Sequence, residues 1–337
     1  MDKNFLSSNK GMSAKKSIGL PGAALFALAL ALTIGAGIMT LRSGNLLAGP
    51  AHHPWTQKDP NSITPLTLQE LKSLPAGDLE DFQSTFSHIV VRKVDSRIGL
   101  YFKKGGFLYK ETEIDLSNPN RLVLAYGRLA PVALLYSEKR ERFLLLGLGG
   151  GAVSNYFHSY FPDMTIDGVE IDAGVAAMAV RYFLAEPGAK YHIHVADARS
   201  FVQNSHRKYD LIMGDAYGGG YIPEHLITRE FYEEVKSILK PGGVLFLNLY
   251  DEEVYQRSLV TLHLVFDHTH TYFSPTNASR IVVAFDGKEP DEQELLRRAR
   301  ELQKRYNFYH SLPEMLQYRR EAKPGASFQP YTDDLLQ

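Results

Sequence analysis

Residues 144–172 read LLLGLGGGAVSNYFHSYFPDMTIDGVEID, and this stretch decides the fold of the chain. An apolar run is followed by an amphipathic stretch and by a second apolar run that ends at Glu170. Between the first two lie four glycines within five positions, namely Gly147, Gly149, Gly150 and Gly151. The order predicts a strand, a tight turn, a helix and a second strand. Glycines let the backbone approach a ligand closely, and a carboxylate about 20 residues further on can accept hydrogen bonds from ribose hydroxyls. The stretch therefore predicts an adenosine-type cofactor at the carboxyl ends of parallel strands.

A second acid supports a nucleoside site. Residues 191–195 predict a third strand, after which Asp197 could reach an adenine amino group, with Ala198 beside it. A dinucleotide would need a pyrophosphate site, and the glycine loop fits the G-x-G-x-x-G spacing only in part, because Ala152 or Val153 stands near the third glycine position. The pattern favours a sulfonium nucleoside of the S-adenosylmethionine type over a nicotinamide dinucleotide.

Composition excludes several classes of function. The chain has 337 residues, a formal net charge of -1 and no cysteine. The near-neutral charge argues against nucleic acid held by bulk electrostatics, and without cysteine there is no disulfide, thiolate zinc site or cysteine nucleophile. The histidine pairs 192/194 and 268/270 each share a strand face but have no carboxylate cluster beside them, so no metal site is predicted.

The amino-terminal region predicts a membrane anchor. Residues 1–16 form a basic tail, and residues 17–41 carry no charge until Arg42. A run of this length can cross a bilayer core, which takes about 20 residues. A cleaved signal peptide is the alternative, although residues 45–48 make a poor cleavage site.

The side of the membrane stays open. Lysines are more frequent before the span than close after it, which places the globular domain outside the cytoplasm. A cofactor of the S-adenosylmethionine type favours the cytoplasm instead.

The remaining chain divides into a proline-rich tether, a small β module, a nucleoside-binding domain and a carboxyl-terminal helix with a tail. Their predicted bounds are 42–81, 82–118, 119–290 and 291–337. The predicted elements outside the opening stretch are a short helix at 66–73, a hairpin of strands 88–94 and 97–103, a helix at 119–136, a helix at 197–205, a strand at 209–214, a helix at 228–239, a turn at 240–243, a strand at 244–249, a helix at 251–266, an antiparallel pair at 269–273 and 279–285, and a helix at 291–306.

Six stretches carry a family resemblance that spans about residues 86–334. They read LLLGLGGG, GVEIDAGVAAMAVRYF, VADARSF, YDLIMGDAY, EFYEEVKSILKPGGVL and the TDD of residues 332–334. In these the chain resembles the spermidine synthase (polyamine aminopropyltransferase) family, which is built on the S-adenosylmethionine methyltransferase fold. The resemblance implies that Glu170 binds the ribose hydroxyls, that Asp197 and Ala198 lie at the adenine, and that the loop 147–151 lies near the amino-acid or aminopropyl tail.

The loop after the fourth predicted strand departs from the family pattern. In spermidine synthases this loop looks like D-S-x-D-P, with two aspartates. This chain has Asp215, Ala216, Tyr217 and Gly218, so a glycine stands in place of the second aspartate. A glutamine expected beside the amino-terminal hairpin is not evident at 106–109. The sequence DAYGGGYIPEHLITREFY is similar to a spermidine synthase-like branch often found beside membrane segments.

Aminopropyl transfer needs a base for the attacking amine and carboxylates that hold a cation. Asp215 is the candidate catalytic base, with a loop helix cap as its alternative role. Tyr217 and His225 are candidates to line the acceptor pocket, and His225 could equally be a structural hydrogen-bonding residue. The family match adds Asp333 and Asp334 as candidate substrate-binding residues.

The sequence thus predicts an α/β fold: a doubly wound, Rossmann-like sheet of methyltransferase type, with a small amino-terminal antiparallel β module and a transmembrane helix. The predicted function is aminopropyl transfer from decarboxylated S-adenosylmethionine, or use of S-adenosylmethionine itself, with a small-molecule amine or other nucleophile as acceptor. Methyl transfer to a small molecule is the alternative, and a non-catalytic membrane scaffold is the alternative of another class. The family resemblance adds a possible homodimer through the β module.

Overall fold

Two sheets organise the chain, for which the computed structural model describes residues 53–218, 220–275, 279–325 and 327–336. The first sheet is antiparallel and consists of β1 (Gly77–Gln83), β2 (His88–Val94), β3 (Arg97–Lys104) and β4 (Phe107–Asp115) in that order. The second contains β5 (Arg142–Leu146), β6 (Thr165–Glu170), β7 (Tyr191–Val195), β8 (Tyr209–Gly214), β9 (Leu239–Leu249), β10 (His268–Phe273), β11 (Arg280–Phe285) and β12 (Arg319–Arg320).

Many of the helices begin at a residue whose side chain accepts from a backbone N–H of the first turn, which satisfies a donor that the helix leaves free. Thr67, Asp172, Asp197, Thr228 and Asp251 cap helices in this way. The helices are α1 (Leu68–Ser73), α2 (Ala125–Leu129), α3 (Ala152–Tyr160), α4 (Ala173–Tyr182), α5 (Ala198–Asn204), α6 (Arg229–Ser237), α7 (Glu252–His263), α8 (Glu292–Tyr306) and α9 (Leu312–Met315).

The order of the large sheet creates its binding edge. Its strands run β12-β10-β11-β9-β8-β5-β6-β7, and β5 to β9 are mutually parallel. After β5 the chain moves outward through β6 and β7, and then returns to place β8 on the other side of β5. The loops that follow β5 and β8 therefore lead in opposite directions, and a crevice opens between them at the carboxyl ends of the strands, where open α/β sheets bind ligands.

β5 is buried on both faces because helices cover both sides of the sheet. Phe143 and Leu145 belong to one apolar core, whereas Leu144 and Leu146 belong to the other. This explains the unbroken apolar run of β5, since a strand covered on both faces needs no polar alternation. The predicted doubly wound α/β sheet is confirmed.

The antiparallel sheet is docked onto the parallel sheet by specific hydrogen bonds as well as by a shared apolar core. Thr112 of β4 accepts the N–H of Gly150 through Oγ1 at 2.9 Å. Ser84, between β1 and β2, donates to the side chain of Asp172, the residue that caps α4. Strand β4 thereby lies against the glycine loop, and the loop after β1 lies against the carboxyl end of β6.

Most predicted elements are confirmed within one to three residues, including the short helix at 66–73, the hairpin β2–β3, the strands β5 to β8 and the antiparallel pair β10–β11. The strand predicted at 244–249 forms the carboxyl-terminal part of β9.

Three predictions are corrected, and one strand was missed. The helix predicted at 119–136 is only α2 followed by a 3₁₀ turn, Ala130–Leu135, because Pro131 has no N–H to continue an α-helix. The tether predicted to reach residue 81 ends earlier, since β1 begins at Gly77 and pairs with β2. The predicted turn 240–243 is a register shift inside β9. Strand β4 was not predicted.

The predicted membrane localisation is also corrected. Within residues 53–218, 220–275, 279–325 and 327–336, no helix is long and apolar enough to cross a membrane. The span predicted at 17–41 itself lies outside the described residues.

Candidate functional site

Three of the predicted acids lie along the carboxyl edge of the sheet. Glu170 ends β6, Asp197 follows β7 and caps α5, and Asp215 follows β8. Their chain order does not match their order in space, because β5 and its glycine loop lie between β6 and β8. The switch in strand order therefore places the loop 147–151 between Glu170 on one side and Asp215 on the other.

The glycine loop is shaped by its neighbours. Gly147 has a φ of +93°, and a Cβ built on it would lie 2.4 Å from the carbonyl oxygen of Asp215 and 2.6 Å from the Cα of Ala216. Only glycine allows both the backbone angle and this approach of two loops. A Cβ on Gly150 would likewise lie 2.7 Å from Cγ2 of Thr112. The glycines thus let the loops after β5 and β8, and strand β4, meet around one crevice.

Glu170 is held by two backbone N–H groups. Its Oε2 accepts from Gly149 at 3.0 Å, and its Oε1 accepts from Asp172 at 3.1 Å. Burial raises its pKa to about 7, against the lowering effect of these N–H groups. A carboxylate has about four lone-pair positions, so Glu170 keeps acceptor capacity for two hydroxyl groups of a ligand.

Asp197 is paired with His225. Its Oδ2 lies 3.0 Å from Nε2 of His225, while its Oδ1 accepts the N–H of Ser200 at 2.8 Å. The hydrogen bond from His225 is the main reason that the pKa of Asp197 is lowered to about 2. Ala198, the first residue of α5, is 7% exposed. His225 thus forms a hydrogen bond with Asp197. A structural hydrogen-bonding role was one of the two that the sequence left open for His225.

Asp215 is a partly buried carboxyl at the switch point. Its Oδ1 accepts from Nδ2 of Asn248 at 2.8 Å. Burial raises its pKa to about 7; the Asn248 amide and the Tyr126 hydroxyl lower the pKa, and the charge of Glu170 adds to the rise. A carboxyl with this pKa exchanges a proton near neutral pH, which suits a general base.

Tyr217 lies close to Asp215. Its hydroxyl donates to the backbone carbonyl of Asn248 at 2.6 Å. Its ring lies 5.2 Å from the ring of Tyr250, measured between centroids. Burial and the charge of Asp215 raise the pKa of its phenol, so it stays neutral. Two aromatic rings beside a carboxyl make a surface that suits a cationic amine.

Three site residues were missed by the sequence analysis: Glu111 on β4, Tyr126 on α2 and Asn248 on β9. Burial, together with the charges of Asp215 and Glu170, raises the pKa of Glu111 to about 8. Asn248 could have been suspected, because it interrupts the apolar run of β9. Tyr126 and Glu111 had no such signal, since the elements that carry them were predicted incorrectly or not at all.

The two carboxyl-terminal acids lie elsewhere. Asp333 forms a bidentate pair with Arg199 of α5, at 2.8 and 2.6 Å, and the same guanidinium binds both oxygens of Glu234. Asp334 is exposed. The structure thus engages Asp333 with α5 and does not bring it to Asp215. Within the described parts of the chain, no group of three or more histidine and acidic side chains could hold a metal ion.

The comparisons with known proteins identify the family of the chain. The family model for the spermine/spermidine synthase domain matches residues 128–284. The chain is 33% identical over 230 residues to the polyamine aminopropyltransferase of Vibrio vulnificus (strain CMCP6), a match that covers 66% of this chain and 77% of that protein.

Two solved structures share the fold. A probable spermidine synthase from Corynebacterium glutamicum ATCC 13032 matches with a TM-score of 0.57 at 19% identity, over 77% of this chain and all of that one. Human methyltransferase-like protein 13 in complex with SAH matches with a TM-score of 0.50 at 23% identity, over 60% and 97% of the two chains. These likenesses identify the large sheet as a methyltransferase-type fold. The family model and the relative from Vibrio establish that the chain belongs to the spermine/spermidine synthase family and is a transferase.

Proposed function

We propose that this protein transfers the aminopropyl group of decarboxylated S-adenosylmethionine to an amine acceptor. The observation that carries the proposal is Asp215, a partly buried carboxyl with a pKa of about 7 at the switch point of the sheet. Tyr126 and Tyr217 lie close to it, and Tyr217 packs against Tyr250. The site combines a proton acceptor with a surface that suits a cation, which is what an amine nucleophile requires.

The residues along the carboxyl edge fit the nucleoside part of this donor. Glu170 has acceptor capacity left for the two ribose hydroxyls, and Asp197 is an ionised acceptor for an adenine amino group. Ile171, directly after Glu170, is a large apolar side chain that is 43% exposed. It offers an apolar face against which an adenine ring could pack.

The chemistry assigned to Asp215 is proton acceptance. The lone pair of the amine forms a bond to the methylene carbon beside the sulfonium as the bond from that carbon to sulfur breaks. The electron pair remains on sulfur, which leaves the neutral thioether methylthioadenosine, and the proton of the amine passes to Asp215. Asn248 holds the carboxylate in place through its amide, and Tyr126 stabilises its charged form, so both are positioning residues.

We expect Asp215→Asn to lower kcat by about 10² to 10⁴, the range typical of a lost general base. The measurement is release of methylthioadenosine by the full chain, with decarboxylated S-adenosylmethionine and 1,4-diaminobutane as substrates. Calorimetric binding of methylthioadenosine is the control, and it should stay within about twofold because Asp215 accepts a proton from the acceptor rather than holding the nucleoside. Unchanged turnover in the variant would contradict the role of Asp215.

Methyl transfer is the second candidate. It is favoured by Gly218, which stands where the family pattern has its second acid, and by the likeness of the fold to a methyltransferase. The same assay separates the two reactions, since methyl transfer from S-adenosylmethionine releases S-adenosylhomocysteine instead of methylthioadenosine. We also propose, from the family resemblance, that two copies associate through the β1–β4 sheet.

A further inference from the structure

Glu111 occupies an irregular position in strand β4. In the ladder between β3 and β4, Leu100 pairs with Thr112 and Tyr101 pairs with Lys110, so Glu111 is the extra residue of a β-bulge. Bulges bend a strand and redirect a side chain, and they are frequent beside active sites. The bulge explains how one residue of a regular antiparallel strand can face the crevice while both of its neighbours are engaged elsewhere.

Those neighbours locate Glu111 in the molecule. Thr112 accepts the N–H of Gly150 at 2.9 Å, so this part of β4 lies against the glycine loop. Lys110 donates to Oε1 of Glu113 at 2.5 Å, and its ammonium lies over the ring of Tyr101. Lys110, the lysine next to Glu111 in the sequence, is therefore engaged with other groups and does not neutralise Glu111.

The charges that act on Glu111 are both negative. They belong to Asp215 on one side of the glycine loop and Glu170 on the other. The hydroxyl groups of Tyr126 and Tyr250 also lie in its field, since the charge of Glu111 raises the pKa of both phenols. Among the described residues, Glu111 has no hydrogen-bond or ion-pair partner. A partly buried carboxyl in this position favours a cation from outside the protein.

The glycine loop has no donor to offer an anion. Each of its five backbone N–H groups is already used: those of Gly147 and Leu148 by Val169, at 2.9 and 3.0 Å, that of Gly149 by Glu170, that of Gly150 by Thr112, and that of Gly151 by Leu148 at 2.8 Å. Loops that bind phosphate or carboxylate present free N–H groups to the ligand. This loop cannot do so without breaking its own hydrogen bonds.

We infer that Glu111 sets the donor specificity of the site, because its carboxylate attracts the terminal ammonium of decarboxylated S-adenosylmethionine and repels the α-carboxylate of S-adenosylmethionine. This inference rests on the proposed function and deepens it. The two donors share the adenosine and the sulfonium and differ only in that carboxylate. In the part of the chain that the structure describes, this site has three acids, no cation that acts on Glu111 and no free N–H in the loop 147–151, so it distinguishes the two donors by charge.

The test is calorimetric titration of the full chain with three ligands: decarboxylated S-adenosylmethionine, S-adenosylmethionine and methylthioadenosine. The titrations are made at pH 8.5, above the pKa of about 8 that Glu111 has in the free protein, so that its carboxylate form predominates. Methylthioadenosine has neither the ammonium nor the carboxylate, so it reports on the nucleoside site alone. The variants are Glu111→Gln, which removes the charge, and Glu111→Lys, which inverts it. Asp95→Asn is the matched control, because Asp95 is an exposed acid in the β2–β3 turn of the same sheet.

We expect the unaltered chain and Asp95→Asn to bind the decarboxylated donor at least about tenfold more tightly than S-adenosylmethionine. Glu111→Gln should remove most of that preference, and Glu111→Lys should reverse it, with methylthioadenosine binding within about twofold throughout. Equal binding of the two donors by the unaltered chain, or a preference that survives in both variants while methylthioadenosine still binds, would overturn the role of Glu111. Absence of binding of all three ligands to the unaltered chain would overturn the proposed function and the inference with it.

Discussion

At the scale of single residues, the site depends on how the environment sets the pKa of Asp215. Burial raises this pKa to about 7, whereas the amide of Asn248, at 2.8 Å, stabilises the charged form and keeps the pKa from rising further. A carboxyl base acts only when it is deprotonated, so turnover should rise with pH as Asp215 loses its proton near pH 7. Asn248 thereby extends the pH range in which the enzyme is active toward lower pH.

This gives a prediction for Asn248→Ala. Loss of the amide donor raises the pKa of Asp215, so the acidic limb of the profile of kcat/KM against pH should move to higher pH. We expect about tenfold lower activity at pH 6 and a smaller loss at pH 9. The protonation of the amine acceptor affects the unaltered enzyme and the variant equally, so the shift between them isolates Asp215.

Asn204→Ala is the control for this measurement, because the Asn204 amide donates to the carbonyl of Ser200 on the surface of α5. Its profile should coincide with that of the unaltered chain. An equal loss at all pH values in Asn248→Ala would instead indicate that Asn248 acts through packing.

At the scale of elements, the glycine loop is a junction between strands. Gly147 combines a φ of +93° with backbone atoms of residues 215 and 216 at 2.4 to 2.6 Å from where a Cβ would be. Gly287 has nearly the same backbone angle, +89°, with nothing within 4 Å of such a Cβ. A substitution at Gly287 therefore tests backbone strain alone, whereas one at Gly147 tests backbone strain together with steric exclusion.

We expect Gly287→Ala to lower the free energy of unfolding by about 1 kcal/mol, the cost of the left-handed conformation. Gly147→Ala should cost at least about 2 kcal/mol more, because two loops must move apart, and it should also weaken binding of methylthioadenosine. Denaturant unfolding and calorimetry measure the two effects. Equal losses of stability in both variants would show that the loops after β5 and β8 can separate at little cost.

At the scale of the whole molecule, the carboxyl-terminal residues are attached to the nucleoside side of the sheet. Asp333 and Glu234 both bind the guanidinium of Arg199, whose side chain is 14% exposed. Arg199 also donates to the carbonyl of His225, the residue paired with Asp197. The last described residues thereby support α5, which carries Asp197 at its amino-terminal end.

Asp333→Asn should therefore act on stability. We expect a decrease of about 1 kcal/mol in the free energy of unfolding, as for a partly exposed charged pair, with the KM for the amine acceptor changed by less than about twofold. Asp334→Asn, at an exposed neighbour in the same segment, should change neither quantity. A large rise in the KM for the amine in Asp333→Asn would restore the acceptor-binding role that the family resemblance implied.

The sequence by itself determined those features of this protein that neighbouring residues encode. The apolar runs 143–146 in β5 and 211–213 in β8 indicate strands covered on both faces, and the glycines after β5 indicate a tight turn. Glu170, Asp197 and Asp215 stand at or just after the ends of strands whose carboxyl ends must share one edge. Each of these signals lies within a few residues of the feature that it predicts, so the doubly wound sheet and its line of acids could be predicted.

Only the tertiary structure decided which other side chains lie beside these three acids and which residues the carboxyl-terminal acid contacts. Glu111 faces the crevice because of a one-residue bulge, which reverses the strand face that simple alternation would assign. Asn248 meets Asp215 because β9 pairs beside β8, 33 residues away in the chain, and Asp333 meets Arg199 across 134 residues. These contacts arise from strand register and from packing between distant segments, and no local pattern of residue types contains that information.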